Sequence, residues 1–79
     1  MEKYRIEIKK SAVKEIERLP KVALPAVLAR IATLAEAPRP HDCKKLSHQE
    51  KYRLRCGDYR ILYSIEDDVL IIWVIKVGP

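Results

Sequence analysis

The sequence predicts an α+β domain in which a helical hairpin packs on one face of a mainly antiparallel β-sheet. Three patterns lead to this class. Residues 3–9 alternate between apolar and charged side chains, which is typical of a half-buried strand. Residues 11–34 carry apolar side chains at helical spacing, interrupted by proline. Residues 51–65 indicate two strands around a Gly57-Asp58 turn, and a last apolar strand follows them.

The first strand and the first helix follow from local side-chain chemistry. Alternation places Tyr4, Ile6 and Ile8 on one side of the strand and charged residues on the other. Ser11 is suited to cap a helix that ends at Pro20. The predicted apolar side of this helix consists of Ala12, Val13, Ile16 and Leu19.

The second helix accepts Pro25 in its first turn and is expected to continue until Pro38 and Pro40. Its apolar residues are Leu24, Val27, Leu28, Ile31 and Leu34. The short connection over residues 19–21 predicts an antiparallel hairpin of the two helices. Residues 38–50 are then expected to form a polar loop with Leu46 as its apolar anchor.

The strand pairing around Gly57-Asp58 carries the functional hypothesis. A two-residue turn pairs Cys56 with Tyr59, Leu54 with Ile61 and Tyr52 with Tyr63, facing the helices. The other face then holds Arg55 directly opposite Arg60, with Arg53 and Lys51 further back on the same strand. Because like charges placed opposite one another are destabilising, this free face is predicted to hold an anion, and phosphate is the obvious candidate.

A mainly apolar segment, VLIIWVIKVG at residues 69–78, follows a turn at residues 66–68. They predict a strand that is central in the sheet or covered on both faces. The side on which Trp73 lies depends on the length of the preceding turn and stays open. The sequence therefore predicts an order of strand, helix, helix and a three-stranded antiparallel meander.

Composition limits the classes of function. The 79 residues allow one small domain, and the net charge of +5 favours an acidic partner, either nucleic acid or an acidic protein. A solvated lysine-rich surface is the alternative. No apolar stretch is long enough to span a bilayer and residues 1–10 lack a signal-peptide core, so a cytoplasmic location is expected. Cys43 and Cys56 are expected to be free thiols, and the His and Cys spacing argues against zinc or any other metal or cofactor.

Several motifs, taken in order, resemble the RelE/ParE toxin superfamily of type II toxin–antitoxin systems. They are YRIEI, AVKEIERLP, IATLAEAPRP, KKL, YRLRCGDYRILYSI and VIKVG. Each motif is weak alone, but their order and spacing span essentially the whole chain. The resemblance implies a compact, microbial-RNase-like toxin that is neutralised by a cognate antitoxin encoded beside it.

The resemblance also implies roles for the cations. RelE-type toxins enter the ribosomal A site and cut mRNA with basic residues placed around the scissile phosphate. The family's basic positions before and after the turn match Arg53, Arg55 and Arg60. Attack by the 2′-hydroxyl builds negative charge on phosphorus, which fixed guanidinium groups stabilise without a metal. Lys44, Lys45 and Lys51 are expected to add attraction to RNA.

One part of the family pattern is missing. RelE-type toxins usually continue past the last strand with a basic segment and a tyrosine, whereas this sequence stops at Pro79. Since arginine is a poor general base, another group must move protons. His48 and Glu50 are possible acids or bases, although neither matches a family position, and an exposed loop histidine is the alternative for His48. Weak or absent cleavage by this short form is therefore expected.

Three interpretations remain open at the level of the sequence. The first is a ribosome-dependent mRNA endonuclease of RelE type, which the three arginines favour. The second is a ParE-type inhibitor of DNA gyrase. The third is an inactive relative that binds its antitoxin and meets DNA only through the toxin–antitoxin complex. The antitoxin segment is expected to lie across the helical hairpin or the free sheet face.

Overall fold

The computed structural model describes residues 3–46 and 50–79 and forms two layers, a sheet and a pair of helices. The elements are β1 (Arg5–Ile8), α1 (Lys10–Glu17), α2 (Leu24–Thr33), β2 (Lys44–Lys45), β3 (Lys51–Cys56), β4 (Tyr59–Glu66) and β5 (Ile71–Gly78). Within the described ranges the strands form one sheet in the order β1-β5-β4-β3-β2. Only β1 and β5 are parallel among these pairs, so the predicted mainly antiparallel α+β fold is confirmed.

The main difference in strand content lies in the predicted loop. Within residues 38–50, Lys44 and Lys45 form the edge strand β2, which pairs with β3. Two residues are too few for a periodic pattern, so the sequence alone could not indicate this strand. The last strand, β5, lies in the interior of the sheet between β1 and β4, as its apolar sequence predicts.

Helix α1 begins directly where β1 ends, and the predicted cap at Ser11 is wrong. The amide of Lys9 donates to the carbonyl of Val74 at 3.0 Å, so sheet pairing continues up to the helix. The carbonyl of Lys9 accepts the first helical bond, from the amide of Val13 at 2.9 Å. Lys9 is therefore the N-cap, without a side-chain cap, and Ser11 already lies in the first turn.

Both helices end before the prolines that were expected to end them. Helix α1 stops at Glu17, and α2 stops at Thr33. The amide of Leu34 bonds to the carbonyl of Ile31 at 3.0 Å, a three-residue spacing that tightens the last turn. Pro25 does lie in the first turn of α2, as predicted.

The helices cover one face of the sheet, with α1 against β5 and α2 against β3. Their buried residues are Ala12, Ile16, Val27, Ile31 and Leu34, which meet buried side chains from β3, β4 and β5. Val13 and Leu28, expected on the apolar sides, are 39% and 42% exposed. Each follows a fully buried residue by one position, which turns it about 100° away from the sheet. We call the uncovered side of the sheet the open face.

The register of the β3–β4 hairpin is the one that the sequence predicts. Arg55 pairs with Arg60 and Arg53 with Leu62 on the open face, while Tyr52, Leu54, Ile61 and Tyr63 lie in the core. Gly57 has a φ of 60°, and no other residue of this turn has a positive φ. This combination fits a type II′ turn, in which glycine takes the first central position.

A β-bulge in β5 changes which of its side chains face the core. On β4, Leu62 pairs with Lys76 and the next residue, Tyr63, pairs with Val74. Ile75 is therefore the extra, unpaired residue on β5. Val74 and Val77, three positions apart, are therefore both buried. Lys76 lies opposite Leu62 on the open face, where a regular strand would have turned it toward the helices.

Contacts distant in sequence fix the path of the segment that enters β2. The hydroxyl of Tyr63 donates to the carbonyl of Pro38 at 2.8 Å, and burial raises the pKa of this phenol. The Arg39 guanidinium donates to the Tyr52 hydroxyl at 3.0 Å and to the Asp67 carboxylate at 2.7 Å. These bonds hold residues 38–39 against β3, β4 and the turn before β5.

In the part of the chain that the structure describes, neither helix is long and apolar enough to cross a membrane.

Candidate phosphate-binding site

A cavity of about 150 Å³ opens on the open face at the end of the sheet near the Gly57 turn. We call it the arginine pocket. Its lining consists of Asp42, Lys44, Arg53, Arg55 and Arg60. The three arginines predicted from the sequence thus line one pocket, as the predicted register requires.

Three neighbouring strands position these cations. Lys44 on β2 lies opposite Arg53 on β3, and Arg55 lies opposite Arg60 on β4. Directly opposed residues have Cβ atoms about 4.5–5.5 Å apart. Arg53 and Arg55 are separated by one residue and share a face, about 7 Å apart along the strand. The guanidinium groups therefore approach a common volume from two strands.

The positive charge of the arginine pocket is largely uncompensated. Within residues 3–46 and 50–79, none of the three arginines forms a salt bridge. The lining holds four cations and one carboxylate, which leaves a net charge of about +3. Arg55 and Arg60 are exposed and Arg53 is half-buried, so an anion can reach all three.

The carboxylate in the lining, Asp42, already has a partner. A guanidinium nitrogen of Arg30, in the last turn of α2, donates to its Oδ2 atom. This contact ties the loop that carries Asp42 to the helical layer. The other carboxylate oxygen, Oδ1, has no such bond among the described residues, so Asp42 keeps an acceptor that a substrate hydroxyl could use.

A second cavity, of about 160 Å³, adjoins the first on the open face. We call it the Lys76 pocket. Its lining consists of Arg53, Arg60, Leu62, Lys76, Gly78 and Pro79. Because Arg53 and Arg60 line both cavities, the two pockets share a wall of guanidinium groups.

The three predicted RNA-binding lysines are not equivalent. Lys44 lines the arginine pocket, whereas Lys45 lies opposite the core residue Tyr52 and pairs with Glu50 at 3.5 Å. Lys51 lies on the open face opposite Ser64, outside the lining of both pockets. His48, the possible acid or base, lies outside the described residues.

The aromatic residues take opposite sides of the sheet. Tyr52 and Tyr63 stack in the core with ring centroids 5.7 Å apart, and Tyr59 packs against the core, as predicted. Trp73, whose side the sequence left open, lies opposite Ser64 on the open face. Its indole nitrogen donates to Glu66 at 2.7 Å.

Two residues of the site were missed by reasoning from the sequence. Asp42 lines the arginine pocket on a segment that hydrogen bonds with Tyr63, Tyr52 and Arg30 hold in place. Lys76 reaches the open face only because of the bulge at Ile75. The polar position of Lys76 within an otherwise apolar strand was the one signal that pointed to a change of side.

Comparison with known proteins identifies the family of this chain. The family model for the ParE toxin of type II toxin–antitoxin systems, parDE, matches residues 6–79. The chain belongs to the RelE/ParE toxin superfamily. A Methanocaldococcus jannaschii protein described as a toxin, RelE1, is 34% identical over 80 residues, which cover 96% of this chain and 89% of that protein.

Solved structures place this RelE/ParE toxin on the RelE side of the superfamily. The RelE–RelB complex from Pyrococcus horikoshii OT3 contains a chain that is 34% identical, with a TM-score of 0.86 and coverage of 96% of this chain and 93% of that one. The RelBE2 toxin–antitoxin complex from Mycobacterium tuberculosis gives 25% identity and a TM-score of 0.85, with 96% of both chains covered. This chain is therefore a toxin of a type II system, of the RelE kind.

Proposed function

We propose that this toxin binds single-stranded mRNA on the open face and cleaves it in the ribosome, with the scissile phosphate in the arginine pocket. The observation that carries the proposal is the direct opposition of Arg55 and Arg60 beside Arg53, without carboxylate partners among the described residues. Keeping like charges together is unfavourable for folding, so the arrangement fits a site that is completed by an anion.

The chemistry assigned to the arginine pocket is attack of the RNA 2′-hydroxyl on the adjacent phosphate. The oxygen–phosphorus bond to the 2′-oxygen forms, the bond to the 5′-oxygen of the next nucleotide breaks, and a 2′,3′-cyclic phosphate results. Arg53, Arg55 and Arg60 stabilise the charge that develops on the phosphoryl oxygens. Asp42 takes the role of proton acceptor for the 2′-hydroxyl, because a carboxylate can accept a proton and a guanidinium group cannot. The departing 5′-oxygen takes up a proton from water and leaves as a hydroxyl group.

A cognate antitoxin is the proposed protein partner. The solved relatives from Pyrococcus horikoshii and Mycobacterium tuberculosis are toxin–antitoxin complexes. Two surfaces of this toxin suit such a partner. One is the cationic open face, and the other is the helical layer, where Leu28 is 42% exposed and Val22 in the connection before α2 is 90% exposed.

The test is cleavage of mRNA in programmed ribosomes by the toxin and by its Arg55→Ala and Arg60→Ala variants. Loss of one preorganised donor is expected to slow cleavage by about 10²–10³-fold. Arg18→Ala is the matched control, because Arg18 is an exposed arginine at the end of α1 in the opposite layer. A parallel series carries a family-like basic tail after Pro79, so that the sequence-based expectation about the short form is measured directly.

The outcomes separate the three interpretations. Unchanged cleavage by both arginine variants would show that the arginine assignment is wrong. Cleavage by neither series, together with tight antitoxin binding, would favour an inactive antitoxin-binding relative. The family model that matches residues 6–79 is that of the ParE toxins, so inhibition of DNA gyrase is the second candidate function. Supercoiling assays with purified gyrase would detect it.

A further inference from the structure

The Lys76 pocket has no role in the proposed cleavage step, yet it continues the cationic surface toward β5. Lys44, Arg53, Leu62 and Lys76 pair in direct succession and form one row across four strands. Three strand spacings of about 4.8 Å make this row roughly 14 Å long. A cation lies at each end, and the arginines that both pockets share lie near its middle.

The bulge at Ile75 shows that the position of Lys76 depends on a specific feature of the fold. Without the extra residue, Lys76 would pair with Ile61 and point into the apolar core. With it, Val77 fills the core position and the Lys76 side chain is exposed beside Arg53 and Arg60. Among the described residues Lys76 forms no salt bridge, so its charge adds to that of the shared arginines.

We infer that the Lys76 pocket is a second phosphate subsite, which binds the RNA phosphate next to the one in the arginine pocket. This inference rests on the proposed binding of RNA. Two adjacent anion pockets with a shared guanidinium wall suit a ligand that carries one charge on every monomer, as a nucleic-acid backbone does. Guanidinium groups also match phosphate geometry through paired hydrogen bonds.

Affinity for short RNA of defined phosphate number tests the subsite. The probes are 2′-O-methylated ApA, with one phosphate, and ApApA, with two, neither of which can be cleaved through a 2′-hydroxyl. Lys76→Met is expected to weaken ApApA binding by about two- to fivefold, the range of an exposed charge pair, and to leave ApA binding unchanged. For ApApA, the plot of log association constant against log salt concentration has a negative slope, and Lys76→Met should make this slope shallower by about 0.7.

Two further variants control for charge and for the proposed function itself. Lys76→Arg keeps the charge and should retain the affinity for ApApA. Lys14→Met removes the same charge from α1 in the opposite layer and should affect neither probe. Arg55→Ala should weaken ApA, and because Arg55 lines the arginine pocket but not the Lys76 pocket, failure of the arginine pocket is measured apart from failure of the subsite. Circular dichroism and thermal melting confirm that each variant is folded.

Each remaining result would overturn the inference in its own way. Equal effects of Lys76→Met on ApA and ApApA would place Lys76 in a single site, and no effect beyond that of Lys14→Met would remove it from RNA binding. If Lys76→Met weakens binding of a hexaglutamate peptide but of neither RNA probe, the pocket binds an acidic protein segment instead. If wild-type toxin binds neither probe, the proposed RNA function fails together with the subsite.

Discussion

Asp42 is the residue at which binding and catalysis are expected to diverge. It is the carboxylate in a lining that otherwise consists of cations in the described part of the chain, and it repels a phosphate that the arginines attract. Asp42→Asn should therefore strengthen binding of an uncleavable RNA and slow cleavage at saturating substrate, because the proton acceptor is lost while the shape is kept. Single-turnover cleavage and equilibrium binding measure the two effects separately.

Because Asp42 forms an ion pair with Arg30, Asp42→Asn removes both the carboxylate and this ion pair. A second variant, Arg30→Met, separates the two effects. Arg30→Met breaks the same pair but leaves the carboxylate in place, so it should retain most of the cleavage rate. A similar loss of rate in both variants would mean that Asp42 only positions its loop, and the proton acceptor would have to be sought elsewhere.

At the scale of single elements, the β3–β4 hairpin determines whether the arginines meet. Its turn depends on Gly57, whose φ of 60° is rarely adopted by residues with a side chain. Gly57→Ala is expected to lower the free energy of unfolding by about 1–3 kcal/mol, although the added methyl group would point into open space. Urea denaturation measures this change.

Gly78→Ala is the matched control for the hairpin turn. Gly78 lies in β5 without a positive φ, and a Cβ atom there also meets nothing within 4 Å. The same substitution should therefore leave stability unchanged or raise it by about 0.4–1 kcal/mol. Equal losses for both variants would show that the Gly57 conformation does not limit the turn.

The same hairpin explains which parts of the site could be predicted from the sequence. A two-residue turn allows one pairing, and alternation then assigns every side chain to a face, so the places of Arg53, Arg55 and Arg60 followed from local rules. The positions of Asp42 and Lys76 did not. They depend on a loop held by contacts with residues far along the chain and on one bulge, neither of which leaves a periodic pattern.

The predicted Ser11 cap failed for a related reason. A capping preference describes a helix that begins from a free segment. Here sheet pairing extends to Lys9, so α1 begins two residues earlier than a Ser11 cap would require. Tertiary hydrogen bonds thus override the local preference. At the end of α2, which stops at Thr33, the carbonyl of Ala35 accepts a hydrogen bond from the amide of Tyr4 at 2.9 Å, although the sequence up to Pro38 is compatible with a helix.

For the whole molecule, one ion-pair cluster joins segments from both ends of the chain. Asp67, in the turn before β5, accepts hydrogen bonds from Arg39 and from the hydroxyl of Tyr4, the latter at 2.6 Å. These bonds, that of Arg39 first, lower the pKa of the Asp67 carboxylate below its usual value. The folded protein therefore binds this proton less readily than the unfolded chain does.

The cluster should make part of the stability depend on acid pH. A lowered pKa stabilises the fold above the unfolded pKa of about 3.9, and this contribution is lost as the pH falls through the lower folded value. Asp67→Asn should thus be less stable than wild type above about pH 5, with the difference disappearing in stronger acid. Asp68→Asn is the control, because it removes a charge from the same turn but leaves the contact between Asp67 and Arg39 in place. Urea denaturation at a series of pH values would contradict the assignment if the difference persisted at low pH.

The distribution of charge over the whole molecule sets how the antitoxin is expected to bind. With a net charge of +5 and a largely uncompensated arginine pocket on the open face, an acidic segment lying across that face should lose affinity as salt increases. Raising the ionic strength from about 0.01 to about 0.1 M shortens the screening length from roughly 30 to roughly 10 Å. Isothermal titration of the cognate antitoxin over this range is the measurement.

Two charge-changing variants identify the face that the antitoxin covers. Arg55→Glu reverses a charge on the open face, and Leu28→Glu introduces one on the exposed side of α2. A strong loss of affinity with Arg55→Glu, together with salt sensitivity, is expected for docking on the open face. Salt-insensitive binding that only Leu28→Glu disrupts would instead indicate apolar docking on the helical layer, because burial of apolar surface is little affected by screening. In that case the antitoxin would leave the arginine pocket uncovered, and neutralisation would require a route other than direct competition with RNA.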